Sequence, residues 1–207
     1  MNNYVERFST KERVLHWFVT ASFFTLVLSG LGLFSRLFTG YFNLFGNGRN
    51  AILVHKVAGV LFFVSSLIFF LLHRKDCSHF DAGDKEWLKS SGGYLSRGQA
   101  HFDVGKLNPG QKIFALFIGI ATITLGVTGI FIWVPMAFPR FLVQFSLMLH
   151  GLMFVSAVMF VIVHVYLATI GNPGTLDSML WGQVRRNWAR LHHPRWYKEV
   201  SEGEGQK

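Results

Sequence analysis

The chain alternates between four long apolar runs and shorter polar segments. The runs occupy residues 14–34, 51–72, 113–134 and 143–171. Each contains the roughly 20 residues that cross a hydrocarbon core of about 30 Å at about 1.5 Å per residue. Backbone groups in lipid must be paired within their own segment, so each run is predicted to be a helix rather than a strand. No run contains Asp or Glu, and Lys56 is the only Lys or Arg inside one.

Composition agrees with a membrane protein. The 207 residues are 51% hydrophobic and 15% charged, whereas an ordinary soluble domain has about 25% charged residues. The length suits one domain, residues 1–207. A single cysteine, Cys77, excludes an internal disulfide and any multi-cysteine metal site within the chain. The head before the first run contains Glu6 and Glu12, so the first run is interpreted as a retained helix rather than a signal peptide.

Basic residues are distributed unevenly between the two sides of the predicted spans. Of the 20 Lys and Arg, 16 lie in the head, in the loop 73–112 or in the tail 172–207. The positive-inside rule therefore places both termini and this long loop in the cytoplasm. The net charge of +9 is then a topology signal, and nucleic-acid binding is not expected. Short outer connections and one long inner loop predict an all-α, antiparallel four-helix bundle in the membrane.

The tail carries a further helical pattern. Apolar residues recur at helical spacing after Gly174, with arginines between them. The residues are Leu176, Met179, Leu180, Val184, Trp188 and Leu191. This pattern predicts a C-terminal interfacial helix that lies on the inner face of the membrane.

Four of the nine histidines fall inside the apolar runs: His16, His55, His150 and His164. A polar ring in hydrocarbon is costly, so such side chains usually face the bundle interior and bind a partner there. A hydrogen bond to a neighbouring helix would satisfy any one of them. Four histidines at related depths indicate a more specific role.

The positions of these histidines predict two pairs. His150 and His164 are 14 residues apart, which is about 21 Å along a helix and about 40° short of whole turns, so they share a face. His55 begins the inbound second helix and lies level with His150. His16 begins the outbound first helix and lies level with His164. Paired imidazoles from facing helices are how a bundle holds a b haem with both axial positions filled.

Other residues leave alternatives open. His73 is 18 residues after His55 and shares its helix face, so it rivals His16, although its separation of about 27 Å fits the 21 Å spacing poorly. Gly30, level with the outer pair, would admit either a haem edge or a close helix contact. The remaining histidines lie in polar segments and are predicted to be solvated: His79, His101, His192 and His193.

A polar segment, Gly105–Lys112, directly precedes the third run. Asn108 is a plausible N-cap and Pro109 fits the first helical position. Capping alone would explain these residue types. Alternatively, the amide and the nearby glycine backbone lie beside the inner haem, where a quinone head group could accept hydrogen bonds.

Several segments together are similar to one family. They are Arg13-Val-Leu-His16-Trp17, Ser29-Gly30, His55-Lys-Val-Ala-Gly59, Gly105-Lys-Leu-Asn-Pro-Gly-Gln-Lys112 and Ala189-Arg-Leu-His-His-Pro-Arg-Trp196. In combination they resemble the gamma, or cytochrome b556, subunit of membrane-bound respiratory formate dehydrogenase. The resemblance covers almost the whole chain, from Arg7 to about Val200.

The resemblance implies two b haems. The outer haem would be held by His55 and His150, and the inner haem by His16 and His164. Because both axial positions of each haem are filled, no position is open for a substrate. The chain would then carry electrons within an oxidoreductase complex and would not itself oxidise formate.

The resemblance also implies a quinone site and partner subunits. Menaquinone, or ubiquinone, would contact Asn108, Gly110 and His164. The partners would be an iron–sulfur beta subunit with its own anchor helix and a molybdenum- or tungsten-pterin alpha subunit on the outer side of the bacterial inner membrane. Association of such complexes into higher oligomers stays open. Two alternatives also remain, namely a cytochrome b subunit of a hydrogenase or thiosulfate/polysulfide reductase, and a haem-free transporter or assembly protein.

Overall fold

The computed structural model describes residues 3–90, 92 and 102–204 of the chain. The α-helices in these residues are α1 (Thr10–Phe34), α2 (Gly48–Ser78), α3 (Ala82–Lys89), α4 (Pro109–Trp133), α5 (Arg140–Tyr166), α6 (Asp177–Leu180), α7 (Arg186–His192) and α8 (Pro194–Glu204). Among the described residues, 3₁₀ helices cover Arg36–Phe45 and Pro135–Ala137, and a π-helical turn, Leu167–Gly171, follows α5. Two short strands are β1 (Tyr4–Glu6) and β2 (Gln183–Arg185).

The four predicted membrane spans are confirmed as helices. The helices α1, α2, α4 and α5 are long and apolar enough to cross a membrane, and α5 reaches Gly171 through the π-helical turn. Each begins a few residues before its apolar run. For α1 the reason is local, because Ser9 and Glu12 bond reciprocally at the first turn, with Ser9 N donating to Glu12 Oε2 at 2.7 Å.

The chain divides into two compact units. The bundle unit comprises Val14–Leu71 and Ile118–Val163. The flanking unit comprises Met1–Arg13, Leu72–Phe117 and His164–Lys207.

In the bundle unit each helix contacts two others in a ring. The side-chain contacts are Phe23 with Phe62 (α1 and α2), Ser66 with Thr122 (α2 and α4), Thr128 with His150 (α4 and α5) and Phe34 with Phe154 (α5 and α1). In the most apolar part of each spanning helix, only 6 to 22% of the residues are buried within the chain. Their apolar side chains therefore point outward, as expected for helices surrounded by lipid.

The flanking unit has a small core of its own. β1 pairs antiparallel with β2, with Val5 opposite Val184. These two valines pack with Ala189 and Trp196. Residues from both ends of the chain therefore share one hydrophobic core.

The prediction of one interfacial helix over the tail is wrong. The segment breaks at Gly182, whose φ is +79° and where a Cβ would lie 2.7 Å from the Phe8 carbonyl oxygen. The chain then enters β2 and continues as α7 and α8. Val184 and Trp188, which the helical spacing assigned to a membrane-facing stripe, contribute instead to the small core.

The inner loop contains a helix and an ion pair. α3 begins with a reciprocal cap between Asp81 and Asp84. Asp84 is fully buried and its carboxylate pairs with the ammonium group of Lys112, which also donates to the His79 carbonyl at 2.7 Å. This pair connects α3 to the first turn of α4.

Candidate functional site

His55 and His150 lie in the bundle unit, on α2 and α5. Both side chains are half-buried, and the residues they contact, Ser29 and Thr128, lie in the last two turns of α1 and α4. The structure therefore brings the residues of the predicted outer pair to one region of the bundle. Their role as haem ligands stays a prediction.

The Nδ1 atom of His55 is held by a hydroxyl group on α1. It lies 3.0 Å from Ser29 Oγ, and that oxygen lies 2.7 Å from the carbonyl oxygen of Thr25. A hydroxyl has one proton, and a carbonyl can only accept. Ser29 therefore donates to Thr25 and accepts from His55 Nδ1–H, which leaves Nε2 of the neutral ring as its unprotonated nitrogen.

His150 has the same arrangement against α4. Its Nδ1 lies 2.9 Å from Thr128 Oγ1, and Thr128 Oγ1 lies 2.7 Å from the Thr124 carbonyl oxygen. The same proton count makes His150 Nδ1 the donor and Nε2 the unprotonated nitrogen.

The donor chemistry of this pair fits a b haem. A histidine that ligates a metal through one ring nitrogen almost always donates its other N–H to a neighbouring acceptor, which fixes tautomer and ring orientation. Both His55 and His150 have that acceptor, and Gly30 beside Ser29 allows close approach, since a Cβ there would lie 2.9 Å from His55 Cε1. The chain thus presents two neutral, oriented imidazoles, as a bis-histidine haem requires.

The residues of the predicted inner pair belong to different units. His16 lies in the bundle unit, where its ring contacts Trp17 and Phe69 at centroid distances of 5.4 and 6.0 Å. His164 lies in the flanking unit and stacks on Phe114, with ring centroids 4.2 Å apart and planes 9° apart. Their pairing remains a prediction from the sequence.

His73, the rival ligand, is buried and contacts a carboxylate. Its Nε2 lies 2.9 Å from Glu12 Oε1, and Lys106 Nζ lies 3.3 Å from the same oxygen. The Nε2 atom is therefore engaged by a carboxylate within the flanking unit. This contact favours a structural role for His73, and the choice between His16 and His73 as the iron ligand stays a prediction.

The predicted cap at Asn108 is confirmed. α4 begins at Pro109; Gln111 N donates to Asn108 Oδ1 at 2.9 Å, and Asn108 N donates to Gln111 Oε1 at 3.0 Å. Because Oδ1 accepts this bond, the amide nitrogen of Asn108 is the end of the side chain that points away from the cap.

Of the three candidate quinone residues, Asn108 and Gly110 lie at the start of α4, and His164 of α5 contacts the second turn of that helix. A Cβ on Gly110 would lie 3.1 Å from Trp87 Cη2 and 3.4 Å from Asn108 Oδ1. Phe114 follows Gly110 by one helical turn and shares its face, and Phe114 is the residue on which His164 stacks. Asn108, Gly110 and His164 therefore border the same two turns of the helix.

Comparison with known proteins identifies the family. Residues 7–182 match the family described as prokaryotic cytochrome b561. This chain belongs to that family. The cytochrome is 32% identical over 204 residues to the Escherichia coli K12 protein named "Formate dehydrogenase, nitrate-inducible, cytochrome b556(Fdn) subunit", covering 95% of this chain and 91% of that protein.

Two further relatives agree. The cytochrome is 32% identical over 199 residues to "Formate dehydrogenase, cytochrome b556(fdo) subunit" of the same organism, covering 95% and 93% of the two chains. It is 30% identical over 198 residues to "Formate dehydrogenase, cytochrome b556 subunit" of Haemophilus influenzae, covering 93% and 82%. The resemblance inferred from the sequence is confirmed, and the chain is a multi-pass cytochrome b of the bacterial inner membrane.

One polar histidine of the cytochrome contradicts the sequence prediction. His193, expected to be solvated, is 1% exposed. Its Nδ1 lies 2.8 Å from the Gly105 carbonyl oxygen and its Nε2 lies 3.0 Å from Arg7 Nη2. Nδ1 must donate and Nε2 must accept, so the ring is neutral. Burial, reinforced by the charge of Arg7, holds the pKa of His193 well below its usual value.

Arg7 is a further buried polar residue that the sequence did not indicate. Besides His193 it donates to the Lys106 carbonyl oxygen at 2.8 Å, and it lies 5.1 Å from the ring centroid of Trp188. Burial lowers the pKa of Arg7 to about 9, so the guanidinium remains charged at neutral pH. Of the other polar histidines, His79 is exposed as predicted and His192 is half-buried; His101 lies outside the described residues.

Proposed function

We propose that this cytochrome is the di-haem membrane anchor of a respiratory formate dehydrogenase and passes electrons inward to a quinone. The observation that carries the proposal is the hydroxyl-held pair His55 and His150. The family and the names of the relatives point in the same direction, because all three relatives are named as formate dehydrogenase cytochrome subunits. The chain contributes electron transfer and quinone reduction, while formate chemistry belongs to a partner.

The chain's own residues bind and orient the redox groups. His55 and His150 would hold the outer haem through Nε2, and their hydroxyl partners orient the rings. His16 and His164 are proposed as the inner ligands on the sequence spacing and the resemblance. When bound, the two b haems supply one-electron transfer across the membrane.

The proposed quinone site lies at the start of α4. The amide nitrogen of Asn108 would donate to a quinone carbonyl oxygen, and Gly110 is proposed as a quinone contact on the resemblance. His164, which stacks on Phe114, would bring the inner ligand beside the quinone. Menaquinone is the expected acceptor, ubiquinone is the alternative, and two protons would come from the cytoplasm.

The proposed partners are an iron–sulfur subunit with its own anchor helix and a molybdenum- or tungsten-pterin catalytic subunit outside the membrane. Moving an electron inward against a potential that is negative inside costs about 2.3 kcal/mol per 100 mV. The redox drop from donor to quinone must exceed this cost, and the difference is conserved as proton-motive force.

The haem content of the full-length cytochrome tests the proposal. A reduced-minus-oxidised visible spectrum with haem quantified per chain should show a b-type α band and about two haems. His150→Ala should lose at least the outer haem while the helices still insert. His79→Ala, at an exposed histidine, is the matched control and should retain both. A chain without haem, or full retention in His150→Ala, contradicts the proposal.

A second experiment tests the donor. The chain is tagged in its native host, the complex is purified, and haem reduction is followed after adding formate. Reduction by formate supports the formate dehydrogenase assignment. Reduction by hydrogen or by a sulfur compound, with none by formate, would instead assign the same cytochrome to a hydrogenase or a sulfur-compound reductase.

A further inference from the structure

Two matched pairs of residues in the bundle unit each receive a histidine. Ser29-Gly30 on α1 receives His55, and Thr128-Gly129 on α4 receives His150. In both cases Nδ1 contacts the hydroxyl group while Cε1 faces the adjacent glycine, at 2.9 Å from a Cβ built at Gly30 and 3.6 Å from one built at Gly129. The same local arrangement therefore occurs at both predicted ligands of the outer haem.

Neither hydroxyl group has a second proton to give. Ser29 Oγ, which contacts the Thr25 carbonyl oxygen, also lies 3.3 Å from the carbonyl oxygen of Leu26. In the same way Thr128 Oγ1, which contacts the Thr124 carbonyl oxygen, lies 3.3 Å from the carbonyl oxygen of Leu125. Both neighbours are acceptors, so the hydroxyl proton is directed at its own helix. Ser29 is 0% exposed and Thr128 is 4% exposed, so water does not compete with the histidine for the remaining lone pairs.

From this geometry we propose that Ser29 and Thr128 are positioning residues that hold both outer ligands in the Nδ1–H tautomer and set the reduction potential of the outer haem. The inference rests on the proposed haem-binding function and extends it to two hydroxyl groups that do not touch the iron. An acceptor on Nδ1–H makes Nε2 more basic and favours the oxidised iron. Removing either acceptor should make the outer haem easier to reduce.

The energetic reason for retaining these hydroxyl groups follows from their surroundings. An imidazole N–H that loses a hydrogen-bond acceptor in a water-excluded site bears a desolvation penalty, because no water replaces the lost partner. In Ser29→Ala or Thr128→Val the ring would lose the hydroxyl that orients it, and only the backbone carbonyl of Leu26 or Leu125 would remain as an acceptor. Ser29→Thr and Thr128→Ser keep a hydroxyl that can bond the same carbonyl and the same Nδ1.

A purely structural role is the competing explanation, because each hydrogen bond also connects two helices. The bundle provides a matched control for it. Ser66 and Thr122 join α2 to α4 through their hydroxyl groups, which lie 3.0 Å apart, and the structure pairs them with each other rather than with a histidine. Ser66→Ala removes a buried interhelical hydrogen bond of similar length.

The experiment is a potentiometric titration of the full-length cytochrome, followed by its visible spectrum, for each single variant and for Ser29→Ala with Thr128→Val. Each single variant should shift the reduction equilibrium of one haem by about tenfold, or about 59 mV for one electron, toward the reduced form. Both should act on the same haem, the double variant should shift it further, and the other haem should stay unchanged. Ser29→Thr, Thr128→Ser and Ser66→Ala should retain the unaltered potentials.

The outcomes separate this inference from the proposed function. Loss of one haem in Ser29→Ala that Ser29→Thr restores, with both haems kept in Ser66→Ala, also supports positioning. Two haems with a shift below twofold in both single variants would overturn the inference and leave the haem assignment intact. Shifts of equal size in Ser66→Ala would overturn it as well, because they would show a general packing effect. An unaltered chain without haem would refute the proposed function itself.

Discussion

The bundle unit and the flanking unit use buried polar residues for different purposes. In the bundle unit His55 and His150 have their Nδ1 atoms held by hydroxyl groups, and the unprotonated Nε2 is what they offer to a ligand site. In the flanking unit His73 and His193 are bonded to other side chains through Nε2, the atom that would otherwise ligate a metal. Histidine burial alone therefore does not indicate a ligand, and the proposal for His55 and His150 rests on the ring nitrogen that their hydrogen bonds leave available.

The largest expected effect separates one histidine of each kind. His55→Ala should remove the outer haem, an all-or-none loss measured as haem per chain. His73→Ala should retain two haems, because Nε2 of His73 is paired with Glu12, and should lower only the thermal stability of the flanking unit. Loss of one haem in His73→Ala would make His73 the ligand in place of His16 and would break the distinction between the units.

The second effect is on stability and concerns the buried ion pair of the flanking unit. Asp84→Ala leaves the ammonium group of Lys112 buried without its carboxylate, which typically costs about 3–5 kcal/mol. Replacing both residues by Leu and Met should recover much of this loss, since a buried pair contributes little compared with apolar packing. Thermal unfolding of the full-length protein measures both variants, and haem content should not change. A double variant as unstable as Asp84→Ala would contradict this account.

The bundle unit was predictable because its signals are local. A long apolar run indicates a membrane-spanning helix. The depth of a histidine in the membrane then follows from its position within that run. The helix ends were less predictable, because caps such as Ser9 with Glu12 extend α1 beyond its apolar run. Thr128 was not predicted to be a hydroxyl partner of His150. The similarity between Ser29-Gly30-Leu31 and Thr128-Gly129-Ile130 was the sequence signal that could have indicated it.

The flanking unit was less predictable because its contacts join distant parts of the chain. The buried position of His193 depends on Arg7, which is 186 residues away. The break in the tail depends on the pairing of β2 with β1. The helical spacing of apolar residues in the tail could not reveal either contact. Such spacing depends only on neighbouring residues of one segment, whereas β2 forms by pairing with a distant strand.

The third effect is a pH dependence of the flanking unit. The pKa of His193 is held well below 6.5 by burial and by Arg7, so below pH 6.5 the unfolded chain binds a proton that the folded chain does not. Stability should therefore fall as the pH falls from about 6.5, by up to about 1.4 kcal/mol per pH unit from this group. Thermal unfolding between pH 7.5 and 5 measures the slope.

The matched variant for this slope is His193→Gln, whose amide can still donate to the Gly105 carbonyl and accept from Arg7 but does not titrate. Its stability should depend less on pH than that of the unaltered protein, and its haem content should be the same. An equal slope in both proteins would show that other groups cause the pH dependence.

The smallest effect separates the two roles of Asn108. Asn108→Ala removes the cap on α4 and should cost about 1 kcal/mol of stability, together with the proposed amide donor to quinone. Asn108→Asp keeps an oxygen that accepts from Gln111 N, so stability should be retained, but it has no amide hydrogens. Both variants should slow quinone reduction at limiting quinone while haem content stays at the unaltered level. If Asn108→Asp reduces quinone as fast as the unaltered protein, Asn108 serves only as a helix cap. It would then be a structural polar residue of the flanking unit, like His73 and His193.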